Sequence, residues 1–91
     1  MKLDLTGNFV DLEGKDTENK MGQTLAHMLA SSPKGDPIKF YDWAMSLFRV
    51  GEIEIDESDR KTLEKFINDS GASVAIKGQL LKVLDSIKEK K

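Results

Sequence analysis

Apolar positions along this chain fall into two separable periods. Leu3 and Leu5 alternate with Lys2 and Asp4, and Phe9-Val10-Asp11-Leu12 makes a second short run. A period of two predicts strands. Thr6-Gly7-Asn8 and Glu13-Gly14-Lys15 supply the turn residues around them. Residues 1–16 are therefore expected to form a short β-hairpin or arm. Met21, Leu25, Met28 and Leu29 then fall at i, i+4, i+7 and i+8, one face of a helix over 19–31 capped by Thr17 or Asn19. Ser31-Ser32-Pro33-Lys34-Gly35 ends it. Asp36-Pro37 joins a good N-cap to a good first helical residue, which predicts a helix over 36–50 with Gly51 at the left-handed C′ position. Glu52-Ile53-Glu54-Ile55 alternates strictly and reads as one further short strand, expected beside the N-terminal hairpin. Asp56, with Asp59 three residues on, caps a helix over 57–69. Ser73 caps a last helix over 73–88, striped by Ile76, Leu80, Val83, Leu84 and Ile87. Gly78 inside that helix costs up to ~1 kcal/mol relative to alanine, which a close helix crossing would offset.

The expected fold is a single domain over 1–91, mostly α, with four helices, a short N-terminal β-hairpin or arm and one further strand; by strict count it is α+β. The helix 36–50 differs from the others. Ile38, Phe40, Tyr41, Trp43, Ala44, Met45, Leu47, Phe48 and Val50 surround most of its cylinder. Such a helix is expected to be central and contacted on several sides.

Composition narrows the chemistry. Ninety-one residues contain no cysteine and one histidine, His27. Disulfides, thiolate metal sites, thiol nucleophiles and multi-histidine metal sites are excluded together. The formal charge of −2 is unevenly spread. Residues 1–71 carry nine basic and fourteen acidic side chains, a net −5, and residues 72–91 carry five lysines and two acids, a net +3. No run approaches the ~18–20 apolar residues of a membrane span, and the N-terminus lacks a signal-peptide core. A cytoplasmic setting is expected.

No motif points to catalysis. His27 lies one position off the apolar face of its helix and reads as a surface or boundary residue. There is no Gly-x-Ser-x-Gly elbow and no glycine-rich phosphate loop. The acidic run Asp11-x-Glu13-Gly14-x-Asp16-x-Glu18 fails the EF-hand register, because Asp16 stands at position 6 and Gly22 at position 12. It reads as a solvated turn. Glu52, Glu54, Asp56, Glu57 and Asp59 are explained by strand-face charges and a helix cap. The expectation is a protein that is no enzyme and has no cofactor, metal or small-molecule substrate.

Two binding surfaces remain. The helix 36–50 holds more apolar side chains than one small core accommodates, so Tyr41, Trp43 and Met45 are candidate interface residues for a protein partner or for self-association. The last two helices superficially resemble a helix-turn-helix, in which Lys77, Gln79 and Lys82 would contact nucleic acid. The acidic body makes that the alternative reading.

The order of features also carries a resemblance. An arm with Phe9-Val10-Asp11-Leu12-Glu13-Gly14-Lys15 precedes Gly22-x-x-Leu25, Lys39-x-x-x-Trp43-Ala44-x-x-Leu47, Glu52-Ile53-Glu54-Ile55-Asp56-x-x-Asp59 and Lys77-Gly78-Gln79-Leu80-Leu81. Over nearly its whole length this layout resembles small uncharacterised proteins of tailed phages and prophages. The resemblance implies a bacterial cytoplasm and a part in phage assembly or regulation, by binding rather than catalysis.

Overall fold

A computed structural model describes residues 1–87. The elements run β1 (Lys2–Asp4), β2 (Asn8–Val10), β3 (Asp16–Lys20), α1 (Met21–Ser31), α2 (Pro37–Arg49), β4 (Glu52–Glu54), α3 (Glu57–Asp69) and α4 (Val74–Ser86). The four expected helices and the short strands are present, an α+β arrangement dominated by helix. Lys88, the last residue of the expected fourth helix, lies outside the described residues.

The strands pair differently from the expected arm. β1 pairs with β4, and β2 pairs with β3. The β1–β4 pair is antiparallel, since its hydrogen bonds join Met1 with Ile55 and Leu5 with Gly51. The hairpin is β2–β3, turned by Asp11–Lys15. There Asp11 Oδ1 accepts the amides of Glu13 and Lys15 at 2.9 and 3.0 Å, and Gly14 holds φ +83°. Asn8 faces Lys20 and Val10 faces Asp16, with a bulge between the two pairs. The Thr17 hydroxyl fills that irregularity by donating to the Phe9 carbonyl at 2.8 Å. β3 escapes a hydrophobic-period reading because Asp16-Thr17-Glu18-Asn19-Lys20 has no apolar residue to reveal it.

The chain divides into two compact units, one formed by Asp4–Ile53 and one by Met1–Leu3 with the segment from Glu54 onward. In the first, α1 packs on α2. Its buried residues are led by Leu5, Leu25, Leu29, Phe40, Trp43 and Leu47. Each such side chain removed from water stabilises the unit by roughly 1.5–3 kcal/mol. Phe40 and Trp43 stack at 5.7 Å between ring centroids, and the Lys39 ammonium stands 5.5 Å above the Trp43 ring. α1 starts at Met21 without a side-chain cap, so neither Thr17 nor Asn19 acts as one. Backbone carbonyls serve instead: Met21 N donates to Gly7 O at 3.1 Å and Gly22 N to Leu5 O at 3.0 Å. α2 starts as expected, with Asp36 Oδ1 accepting from Ile38 N and Lys39 N, both at 3.1 Å. It ends at Gly51, whose φ of +88° places it in the region that favours glycine.

In the second unit α3 packs on α4. Leu63, Ile67, Leu80 and Leu84 are buried. The Asp56–Asp59 capping box is complete in both directions, at 2.8 and 3.2 Å. Ser73 accepts from Ile76 N at 3.3 Å. Among the described residues nothing outside its own helix turn stands within 4 Å of a Cβ built on Gly78, so no close crossing there offsets its cost. Arg60 is buried and gripped by its own helix. It donates Nε–H and Nη2–H to the Glu57 carboxylate at 2.7 and 3.0 Å, and Nη1–H to Glu64 at 3.0 Å. The hydrogen bonds to Glu57 raise its pKa above the ordinary arginine range, against burial, and the charge of Glu57 and the bond to Glu64 add to them.

Candidate functional site

The helix read as contacted on several sides is two-faced. Phe40, Trp43, Ala44 and Leu47 are its buried residues. On the other side Ile38, Tyr41 and Phe48 are 76%, 61% and 48% exposed, and Met45 is half-buried. At about 100° per residue, Ile38, Tyr41, Met45 and Phe48 lie within about 80° of arc, centred about 130° from the buried face. Their 3–4–3 spacing makes a continuous apolar stripe. The polar residues Lys39, Asp42, Ser46 and Arg49 occupy the strip on one flank.

This arrangement corrects part of the sequence reading. Of the three candidate interface residues, Tyr41 is exposed and Met45 is half-buried, while Trp43 belongs to the core. An indole is large enough to close a small core by itself, and here Phe40 stacks on it and Lys39 covers it. Ile38 and Phe48 join the surface in its place. Their i, i+3, i+7, i+10 relation to Tyr41 and Met45 was the signal that could have found them.

His27 on α1 is exposed and meets the Phe48 ring edge-on, with centroids 5.6 Å apart. α1, which meets the stripe at His27, carries no Asp, Glu, Lys or Arg between Met21 and Ser31. Beside it lies a groove of about 140 Å³ lined by Lys20, Gln23, Phe48 and Arg49 among others. Neither His27 nor any carboxylate lines that groove. Among the described residues no group of three or more His, Asp or Glu side chains stands where it could hold a metal ion. The acidic run at 11–18 spends Asp11 on its own turn.

The candidate nucleic-acid residues are placed less favourably. Lys77 Nζ donates to the Asn68 carbonyl at 3.1 Å, which closes the α3–α4 turn. Gln79 Nε2 donates to the Ala75 carbonyl at 3.1 Å. Lys82 is exposed. Five residues of helix put Lys82 about 140° around α4 from Lys77, so the two lysines do not share a face. Arg60 is committed to Glu57 and Glu64. Among the described residues no helix is long and apolar enough to cross a membrane. Comparison with family models, with curated proteins and with solved structures gives no match.

Proposed function

We propose that this chain is a non-enzymatic protein–protein interaction module acting through the outer face of α2. The observation that carries the reading is the alignment of Ile38, Tyr41, Met45 and Phe48 along the helix side that the core does not use. Scattered exposed apolar residues need no explanation, but a contiguous stripe that holds two aromatic rings is the composition of a binding hot spot. The setting we propose is assembly or regulation in a phage or prophage, in keeping with the resemblance in layout. A photo-crosslinking residue placed at Tyr41 tests the reading, with Lys82 as the control position. Expression in the native host should give discrete adducts from position 41 and few from position 82. Equal labelling from both, or none from position 41, contradicts it.

Nucleic-acid binding through Lys77, Gln79 and Lys82 is the weaker proposal, since the two lysines diverge. It requires affinity for duplex DNA at low salt that falls steeply as salt rises and drops in a Lys77→Ala, Lys82→Ala double variant. Absence of binding at low salt removes it.

A further inference from the structure

Resting on that reading of the α2 face, we infer that its occupant is a second copy of this chain, docked antiparallel about a twofold axis level with residue 43. The stripe is self-complementary. Its 3–4–3 spacing is the same in both directions, so an antiparallel copy matches Ile38 with Phe48 and Tyr41 with Met45, and the reverse. Every layer then sets one aromatic ring against one aliphatic side chain, which keeps the layers equal in thickness and gives Met45 sulfur–aromatic contact. A parallel copy would stack Tyr41 on Tyr41 and Phe48 on Phe48, with thinner Ile38 and Met45 layers between them.

The area agrees with a weak dimer. Large side chains that are half to three-quarters exposed offer roughly 100–150 Å² each. Ile38, Tyr41 and Phe48, extended by Met45 and by His27 against Phe48, give about 500 Å² per copy. The pair buries about 1,000 Å², the lower bound for a specific interface. The α1 flank brings no Asp, Glu, Lys or Arg that must be desolvated. An isologous contact of this kind closes on itself and does not propagate.

Sedimentation equilibrium of the purified chain tests the inference. The apparent mass should rise from 10.2 kDa toward twice that value, with a midpoint on the order of 100 µM. A Tyr41→Lys variant should remain monomeric with an unchanged circular dichroism spectrum. A second measurement reads the register. The chain has no cysteine, so Tyr41→Cys and Met45→Cys variants can be mixed and oxidised without background. Disulfides between the two variants should form several-fold faster than disulfides within either. A monomer up to about 1 mM, or preferred 41–41 and 45–45 disulfides, overturns the inference. A monomer whose position 41 still crosslinks to another protein in the host overturns this inference alone and leaves the interaction reading standing.

Discussion

Gly22 donates its amide to the Leu5 carbonyl at 3.0 Å, and a Cβ on Gly22 would stand 3.1 Å from that same oxygen. It would also meet the Leu47 carbonyl at 2.9 Å and the Gly51 Cα at 3.3 Å. All three neighbours are backbone, so none can swing aside. The first turn of α1, the end of β1 and the end of α2 converge at a point that admits only hydrogen.

Gly22→Ala should therefore destabilise the protein by about 1–3 kcal/mol, the usual cost of overpacking, despite the better helix propensity of alanine. Gly78→Ala is the matched control. It adds a methyl group where, among the described residues, nothing beyond its own helix turn lies within 4 Å, and should stabilise by about 0.4–1 kcal/mol. Urea unfolding of the two variants checks both signs.

Trp43→Ala should cost about 3–5 kcal/mol, because it removes a buried indole and unstacks Phe40. Asp36→Ala should cost about 1 kcal/mol, since it leaves the Ile38 and Lys39 amides without their shared acceptor. Thermal unfolding followed at 222 nm orders the two.

Arg60→Ala should cost about 1–3 kcal/mol. The loss comes mainly from the packed stem, because Glu57 and Glu64 keep 34% and 49% of their side-chain surface exposed and recover hydration. Arg60→Met, which retains the stem, should fall within about 1 kcal/mol of the parent. If Met is as damaging as Ala in chemical denaturation, the ion pairs and not the packing stabilise α3.

Helices were legible in the sequence where capping chemistry and periodicity coincided, as at Asp36-Pro37, Asp56 with Asp59, and Ser73. These signals are local, and so are the hydrogen bonds that realise them. Strand pairing was legible only in part: β4 lies beside an N-terminal strand as expected, but the partners within the arm were not readable. Leu3 and Leu5 showed their period, but the choice of β4 over β2 as partner is a contact across about fifty residues. β3 was hidden for a different reason: its five polar residues are held by the turn at Asp11 and the Thr17–Phe9 bond, neither of which needs an apolar pattern. The surplus of apolar residues on α2 was visible, and its division was not. Trp43 and Tyr41 are two positions apart, about 200° around the helix, and only the packing of α1 decides which of them is covered.

The claim that the outer face of α2 serves a partner rather than the fold is tested most directly by the unfolding free energy of an Ile38→Ser, Tyr41→Ser, Phe48→Ser triple variant. Removing three large apolar side chains from a core would cost well over 5 kcal/mol and unfold a domain of this size. The expected result is a loss of less than about 2 kcal/mol, because Ile38 and Tyr41 are mostly solvated and Phe48 is half-exposed. A loss of 3 kcal/mol or more would mean that they stabilise the fold, and would contradict the assignment of this face to binding.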